Sequence, residues 1–569
     1  MMSSRIMGAT GAPADAAVPD LPDVPTVPTG LVVLDGRALG VADVVRLADG
    51  AVRPVPDGAA VRRVEESWEA ARLIAAAGRV YGRSTGVGAN RNEDVPSEAA
   101  AEHGLRLLRS HAGAIGEELP ARQVRAMLAV RANQLLAGGA GLRPTVVTAL
   151  CTALESGAYP VVNEFGSVGT GDIAALAQVG LALAGEHPWR VPGARSGSGG
   201  GAGGGAGSGA GRAGERSGSE GDGSGADGSG ADRAGFGAPE AQPLDNNDAL
   251  ALISSNALTL GQAALALHEL RGLIAATQVV AALSLLAVDG SHEAYAAPVH
   301  VARAHRGSRE VARRMRELIG AADRPTPPLG RIQDPYGFRC LPQIHGPALD
   351  AADALESVLE IEINAAAENP LICPEDMAAY HHGGFYQAQL ALALDHFRLA
   401  TTQVARLSTS RLSSLNEPAY TRLRPFLADH EPASSGVMIL EYAAGAALGD
   451  LRAFSAPASL GHAVLSRGVE EQASFASLAA RQTLRACGAY RLVVGCELVA
   501  AVRALRQRDL RPDPELPVGR ALELAESVLD PDPADRPLTG DVSAAAALLD
   551  RFTEIWTDVQ ADPLRGSAS

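Results

Sequence analysis

The feature that most constrains the fold is a series of long runs with helical periodicity in the second half of the chain. Apolar residues recur in these runs at positions i, i+3, i+4 and i+7, the spacing of one face of an α-helix. Aromatic residues make up only 4% of the composition, and Ala and Leu dominate, so helix is favoured over strand. The pattern predicts a bundle of long helices whose spare apolar faces favour oligomerisation. The runs cover residues 247–288, 307–320, 345–367, 386–415, 435–456 and 468–508.

Composition and patterning divide the rest of the chain. A segment made almost wholly of Gly, Ser, Ala, Asp and Arg cannot bury enough apolar surface to offset its chain entropy, and we predict that it is disordered. β-branched runs and Asp-Gly turns between residues 31 and 57 predict a small hairpin, and residues 61–78 predict an amphipathic helix. We expect a disordered tail over 1–30, an N-terminal domain carrying the candidate reactive loops over 31–194, the Gly/Ser-rich insertion over 195–237, the central long-helix bundle over 238–510, and short C-terminal helices and a tail over 511–569.

Charge and cysteine content argue against several functional classes. The formal net charge of −16 argues against nucleic acid and anionic membranes as partners. The chain contains no lysine, which excludes ordinary pyridoxal phosphate chemistry. Its five cysteines are scattered without a C-x-x-C pair, and this predicts reduced thiols in a cytoplasmic protein without a zinc site. The N-terminal residues lack a signal-peptide pattern, and no uninterrupted apolar run predicts a transmembrane helix.

A Gly-rich turn that feeds an apolar helix is the first candidate reactive site. Residues 166–172 contain three glycines, two hydroxyls and a carboxylate. The first N–H groups of a helix are unpaired, and glycines allow the backbone to take positive φ angles. The turn therefore suits a backbone-built reactive or anion-binding site. The simpler interpretation is a helix start capped by Thr170 or Asp172.

Two further loops carry side chains suited to catalysis or to substrate binding. Residues 80–90 form a Gly-rich loop with one phenol, Tyr81, and without the spacing or the lysine of a phosphate-binding loop. Residues 331–340 supply an amide, a carboxylate, a phenol and a guanidinium between two helices. In that loop Arg339 suits bidentate recognition of a carboxylate. The alternative there is an Asp-Pro turn with an arginine at a helix start.

Paired histidines and paired glutamates complete the candidate residues. His381 and His382 open the helix that follows them, but adjacent side chains diverge and no H-x-x-x-H register is present, so no metal site is predicted. Glu470 and Glu471 lie near the start of the last long helix, where carboxylates favour the helix dipole. If that helix points into a site, one of them could act as an acid or a base.

Taken together, these stretches resemble the histidine, phenylalanine and tyrosine ammonia-lyase and aminomutase family. The motifs occur in family order over about residues 30–510, outside the Gly/Ser insertion. Glu470 falls on the late acidic position of histidine- and tyrosine-type members. The matching stretches are the tyrosine loop at 80–88, the Ser-His loop at 110–113, the helix and glycine break at 131–142, the carboxylate-binding loop at 333–339, and residues 368–371 with 384–385.

The resemblance implies an all-α long-helix bundle of the fumarase/aspartase-like superfamily with a small mixed N-terminal region. It also implies a homotetramer with composite active sites, an amino-acid or related carboxylate substrate and no external cofactor. In the family the electrophile methylidene-imidazolone forms autocatalytically from an Ala-Ser-Gly triad and captures the substrate amine, while a tyrosine removes the β-proton. The implied catalytic residues are Tyr81, Gly169, Thr170, Gly171 and Tyr336, and the implied substrate-binding residues are His111, Ser254, Gln333, Arg339, Phe385 and Glu470.

The chain departs from the family pattern at the electrophile. The family's G-S-V-G-A-S-G-D is one residue shorter here, and the triad counted back from Asp172 is Gly169-Thr170-Gly171. Dehydration of Thr170 would give an ethylidene, which carries an extra methyl and is a more hindered acceptor than a methylidene. Ser254 stands where the family has an Asn that supports the imidazolone.

Three hypotheses stay open. The first is an ammonia-lyase or aminomutase for an aromatic or histidine-like L-amino acid, with Tyr81 as base, Arg339 on the carboxylate, and His111 and Glu470 favouring a polar ring. The second is a homologue without the electrophile that uses Tyr81 and Tyr336 as acid and base in another elimination or cyclisation of specialised metabolism. The third is a non-catalytic paralogue that binds a small carboxylate.

Overall fold

The computed structural model describes residues 30–192, 237–326 and 330–561. The predicted N-terminal tail and the core of the Gly/Ser-rich insertion lie outside these residues. The described part is mostly helical, which confirms the predicted all-α long-helix fold. Its α-helices are α1 Val41–Ala48, α2 Gly58–Ala77, α3 Ala100–His111, α4 Ala121–Leu136, α5 Pro144–Ser156, α6 Ile173–Leu183, α7 Asn246–Ile253, α8 Ala257–Ala287, α9 Ala297–Ala302, α10 Arg306–Ile319, α11 Tyr336–Arg339, α12 Leu341–Ile363, α13 Ala388–Leu415, α14 Pro418–Thr421, α15 Ile439–Phe454, α16 Ala476–Gln507, α17 Pro517–Val528 and α18 Thr539–Ala561.

Strands are short and sit mainly in the N-terminal region. They form four two-stranded sheets within the described residues, and only the first pair is parallel. The strands are β1 Gly30–Leu34, β2 Val52–Pro56, β3 Ile115–Glu118, β4 Tyr159–Pro160, β5 Asn163–Phe165, β6 Trp189–Arg190, β7 Leu371–Cys373 and β8 Ala378–Tyr380.

The hairpin predicted for residues 31–57 is wrong. β1 and β2 pair in parallel, with α1 as the crossover between them. Val41, Val44 and Val45 are buried on one face of α1, at helical spacing. The β-branched composition of this stretch favours strands instead. Parallel strands need such a crossover, whereas a hairpin would have needed only a short turn.

The bundle is organised around α8, which is buried along most of its length. This helix packs against α4, α12, α16 and α18. The segment Asn246–Ala287 is apolar and long enough to cross a membrane, but 83% of its most apolar window is buried inside the protein. This segment, which comprises α7 and α8, therefore belongs to the core of the bundle.

The run predicted as one helix over 247–288 is two helices, because the chain breaks at residues 254–256. The break lies against the Thr170 loop, where the backbone N–H of Asp172 donates to the carbonyl of Ser255 over 2.7 Å. The buried Asp172 carboxylate accepts hydrogen bonds from the N–H of Thr259 at 2.7 Å and from its hydroxyl at 2.9 Å. Burial raises the pKa of Asp172, and the Thr259 bonds oppose that rise. The broken helix thereby fixes the end of the loop.

Two predicted boundaries are wrong. The last long helix begins at Ala476 and not at residue 468, so Glu470 and Glu471 lie in a loop. His381 and His382 likewise lie in a loop, seven and six residues before α13 begins at Ala388. In the C-terminal part α17 is short as predicted, whereas α18 extends over 23 residues.

Candidate active site

A cavity of about 270 Å³ opens between the Tyr81 loop, the end of α3 and the loop before α16. It brings together Tyr81, His111 and Glu470, three residues selected from the sequence. Its volume is just below the range typical of small-molecule pockets, and this suits a ligand of amino-acid size. The lining residues are Tyr81, Val87, Gly88, Ala89, Asn90, Leu107, His111, Ile173, Leu250, Ile253, Ser466 and Glu470.

The hydroxyl of Tyr81 accepts a hydrogen bond from the backbone N–H of Gly88 over 2.8 Å. Burial is the largest influence on the phenol and raises its pKa, and the charge of Glu470 raises it further. The Gly88 bond and the charge of Arg91 act in the opposite direction. The Tyr81 ring meets His381 edge-on, with ring centroids 6.4 Å apart. The phenol is therefore held in one orientation, with a backbone donor aimed at its oxygen.

His111 is the last residue of α3. Its Nδ1 lies 2.9 Å from the carbonyl oxygen of Leu107, one helical turn earlier. The Ser110 hydroxyl lies 3.0 Å from the same Nδ1. Because a carbonyl only accepts, the Leu107 contact requires a proton on Nδ1, and in the neutral ring with that tautomer Nε2 is the acceptor nitrogen. The imidazole therefore offers the cavity a hydrogen-bond acceptor.

Glu470 enters the cavity from a tight loop. Leu465 and Glu470 pair as an isolated antiparallel bridge, and Ser466 and Arg467 between them take φ angles of 51° and 56°. Left-handed conformations at non-glycine residues cost energy and concentrate at functional sites. The Ser466 hydroxyl accepts the N–H of Ala89 over 3.0 Å, which joins this loop to the Tyr81 loop.

The Thr170 loop reaches the cavity through Glu470. The Thr170 hydroxyl donates to Oε2 of Glu470 over 3.3 Å. Glycines on both sides of Thr170 take positive φ angles, 88° at Gly169 and 122° at Gly171. The Ser167 hydroxyl accepts from the Gly169 N–H at 3.1 Å and donates to the Gly171 carbonyl at 3.0 Å. One side chain thus ties both ends of the Gly169-Thr170-Gly171 triad.

Gly169 is packed tightly against the start of α16. A Cβ at this position would lie 2.2 Å from the Ser474 hydroxyl and 2.8 Å from the backbone nitrogen of Phe475. The Ser474 hydroxyl donates to the Gly169 carbonyl over 2.8 Å. The alanine that the family has at the first triad position does not fit here. The shorter loop therefore requires a glycine at residue 169.

The predicted carboxylate loop lies elsewhere in the same chain. Tyr336, Arg339 and Gln333 do not line the cavity. Tyr336 is 66% exposed, and the Arg339 guanidinium stacks over its ring at 4.4 Å. The buried Nε of Arg339 has no hydrogen-bond partner in the described part of the chain. The partly buried guanidinium of Arg339 is therefore oriented by its stacking on the exposed Tyr336 ring.

Ser254 and Phe385 lie beside the helix break and outside the cavity lining. The Ser254 hydroxyl accepts the N–H of Asn369 over 3.0 Å. The Phe385 carbonyl accepts a hydrogen bond from the Asn256 side chain over 2.7 Å. Both residues therefore brace the break between α7 and α8 through their neighbours.

Sequence reasoning missed two serines that hold the site. Ser466 contacts the Tyr81 loop from 377 positions away, and no local pattern marks that contact. Ser474 shows a weak signal, because a serine just before a helix is typical of a cap. Within residues 30–192, 237–326 and 330–561, no group of three or more His, Cys, Asp or Glu side chains could hold a metal ion.

The comparison with protein families decides which group of proteins the chain falls in. The family described as aromatic amino acid lyase matches residues 39–527. The chain belongs to the aromatic amino acid lyase family. The resemblance seen in the sequence is therefore confirmed, and this aromatic amino acid lyase is a carbon–nitrogen lyase of the ammonia-lyase type.

Individual relatives extend over nearly the whole lyase. A histidine ammonia-lyase of Geobacillus thermodenitrificans is 31% identical over 555 residues, which cover 95% of this chain and 100% of the relative. The crystal structure of a histidine ammonia-lyase from Trypanosoma cruzi superposes with a TM-score of 0.79 at 25% identity, covering 94% of this chain and 95% of that one. Ergothionase from Treponema denticola shares the fold, with a TM-score of 0.79 at 23% identity over 92% of this chain and 99% of that one.

Proposed function

We propose that this aromatic amino acid lyase eliminates ammonia from a histidine-like L-amino acid. The observation that carries the proposal is the convergence of Tyr81, His111 and Glu470 on one cavity that the Thr170 hydroxyl adjoins. Histidine ammonia-lyases among the relatives support the same reaction class.

Tyr81 is the base for the β-proton. The Gly88 N–H donates to its oxygen and stabilises the phenolate that forms when the hydroxyl proton is lost. Because burial and Glu470 raise the pKa of the phenol, the deprotonated form is scarce at neutral pH. Positioned proton transfer of this kind contributes about 10²–10⁴-fold to the rate.

The polar end of the cavity suits an imidazole ring. His111 offers an acceptor nitrogen there, and Glu470 offers a carboxylate. The walls beside them, Leu107, Ile173 and Ile253, are apolar and suit the flat faces of a ring. A phenyl ring would offer no hydrogen bond to the Nε2 of His111 or to the second carboxylate oxygen of Glu470, which is costly in a partly buried site.

The residues of the triad fit the formation of a backbone-derived electrophile in a variant form. Gly169, Thr170 and Gly171 supply the carbonyl, the hydroxyl and the amide nitrogen that such a group needs, and Ser167 holds the two ends of the triad. Thr170 would give the ring an ethylidene in place of a methylidene. Once formed, the group would capture the substrate amine and make it a leaving group.

The substrate carboxylate is bound by a second subunit. Arg339 is suited to that role, yet it does not line the cavity of its own chain, and its buried Nε has no hydrogen-bond partner among the residues that the structure describes. The exposed Tyr336 beside it and Ile332, which is 90% exposed, support a contact between subunits at this loop. We place these residues, with Gln333, in the composite sites of a homotetramer.

Cysteine usage supports a cytoplasmic location. All five cysteines lie in described residues, and all are free thiols. Burial raises the pKa of Cys151 to about 12 and that of Cys496 to about 11, so these thiols are unreactive. Such a set suits a reducing compartment.

The loop itself favours a second candidate function. The loop is one residue shorter than in the family and holds Thr170 in place of a serine, and both changes oppose formation of the electrophile. An enzyme without the electrophile would use Tyr81 for another elimination or cyclisation. The two candidates differ in whether the triad is chemically modified.

Ammonia release from L-histidine, L-tyrosine and L-phenylalanine tests the proposed function. We expect turnover with L-histidine and much less with L-phenylalanine, together with a loss of at least about 10²-fold in Tyr81→Phe. Full activity of Tyr81→Phe, or release of ammonia from none of the three, would contradict the proposal.

A further inference from the structure

Ser474 contacts the Thr170 loop at one backbone oxygen. This side chain is 5% exposed and lies two residues before α16 begins. Its hydroxyl donates to the Gly169 carbonyl over 2.8 Å and accepts the N–H of Ala476 over 3.3 Å. The single hydroxyl proton is thus directed at Gly169.

The start of α16 binds three consecutive carbonyls of the loop. Ser477 donates to the carbonyl of Ser167 over 2.9 Å, and the N–H of Phe475 donates to that of Val168 over 2.8 Å. Ser474 donates to the third carbonyl, that of Gly169. Only this third carbonyl belongs to the triad, so among these three donors only Ser474 bonds to an atom that ring formation changes.

We propose that Ser474 is the hydrogen-bond donor that activates the Gly169 carbonyl for ring formation within the triad, an inference that rests on the proposed function. The nitrogen of Gly171 forms a bond to the carbonyl carbon of Gly169. The Gly169 oxygen leaves as water with the amide protons of Gly171 and Thr170. A second water forms from the hydroxyl of Thr170 and its Cα proton, so no oxidant or reductant is needed.

The hydrogen bond acts where negative charge develops. When the Gly171 nitrogen attacks, charge builds on the Gly169 oxygen, and a donor already 2.8 Å away stabilises it without rearrangement. Loss of one such donor typically slows a reaction by about 10²–10³-fold. Ser474 therefore controls the rate of maturation.

Other groups hold the loop in shape. Ser167 ties both ends of the triad, and the bonds from Phe475 and Ser477 hold the preceding carbonyls. Removal of the Ser474 hydroxyl therefore leaves the loop anchored, and it removes the donor to the reacting oxygen together with the 3.3 Å acceptor contact of the Ala476 N–H. This difference separates a maturation role from a purely structural one.

A time course of intact mass after cell-free synthesis of the full chain tests the inference. Ring closure and dehydration of Thr170 together remove two waters, about 36 Da in total. The variants are Ser474→Ala, Ser474→Thr, which keeps the hydroxyl, and Ser477→Ala as the matched control. Ser477 is 4% exposed and bonds to the same loop, but at a carbonyl that does not react. Thermal denaturation of each variant checks that it is folded.

We expect Ser474→Ala to lose the two waters about 100-fold more slowly than the wild type, and Ser477→Ala and Ser474→Thr to stay close to it. Equal rates in the wild type and Ser474→Ala would overturn the inference and leave the proposed function intact. Equal slowing in Ser474→Ala and Ser477→Ala would also overturn it, because a loosened loop would explain both. An unchanged wild-type mass would overturn the inference together with the proposed variant electrophile.

Discussion

The Thr170 hydroxyl and the Glu470 carboxylate meet across 3.3 Å although 300 positions separate them in the chain. This hydrogen bond joins Thr170, the residue at which the triad differs from the family, to the acidic group of the cavity, so the two belong to one site. The same carboxylate also acts on Tyr81, whose pKa it raises. The Glu470 carboxylate therefore interacts with both the candidate base, Tyr81, and the candidate electrophile at Thr170.

Glu470→Gln changes the pH dependence in a direction set by that charge. The base works when Tyr81 is deprotonated, so activity rises with pH through the pKa of the phenol. Removing the negative charge of Glu470 lowers that pKa. We expect the rising limb of the kcat/KM profile to move to lower pH, with kcat/KM for L-histidine reduced about 10- to 100-fold by the lost polar contact. A limb that stays in place or moves to higher pH would contradict the electrostatic link.

Gly169→Ala restores the residue that the family carries, yet we expect it to destabilise the chain. The added Cβ meets the Ser474 hydroxyl at 2.2 Å, and a φ of 88° disfavours alanine. Overpacking of this kind costs about 1–3 kcal/mol, measurable by chemical denaturation. Gly488→Ala in α16 is the control, because a Cβ there meets no atom within 4 Å. Equal stability of Gly169→Ala and the wild type would show that the loop can accommodate the longer side chain.

Ser466→Gly tests the hydrogen bond between the two loops of the cavity. Glycine is compatible with the left-handed conformation of residue 466, and the substitution removes the side chain whose hydroxyl accepts the Ala89 N–H. Because the bond positions Gly88 and hence Tyr81, we expect KM to rise several-fold and stability to fall by about 0.5–1.5 kcal/mol. Steady-state kinetics with unchanged KM and kcat would show that the loops hold their positions without this bond.

If each active site combines residues of two subunits, two inactive variants should restore activity when they assemble into one oligomer. Tyr81→Phe and Arg339→Ala each remove one component of every site and should each be nearly inactive. If the two residues of one site come from different subunits, co-expression of both variants leaves about a quarter of the sites intact by random assortment. We therefore expect activity to return to about a quarter of that of the wild type. No recovery beyond the single variants would place both residues in the same subunit.

The helical periods of the bundle are short-range features of the sequence, and the helical fold predicted from them is confirmed. The Gly-rich turn at 166–172 and Tyr81 are also visible in short stretches of sequence, and their roles stay predictions. The positions of Glu470 and α1 were not predicted correctly. Carboxylates before an apolar run look like a helix start, and a short helix between β-branched runs looks like a turn.

Contacts across the chain explain what the sequence could not show. Ser466 and Ser474 act on loops about 300 or more positions away, and neither residue is unusual in its own neighbourhood. The tight packing of Gly169 is likewise a property of α16 and not of the loop that contains the glycine. Side-chain contacts of this kind arise only once the helices are packed.

The intact mass of the purified wild-type protein shows whether the triad is chemically modified. If Gly169, Thr170 and Gly171 form the variant electrophile, two waters are lost, and we expect a mass about 36 Da below that of the unmodified chain. Fragmentation should place the loss within residues 166–172. A mass equal to that of the unmodified chain would contradict the formation of this electrophile.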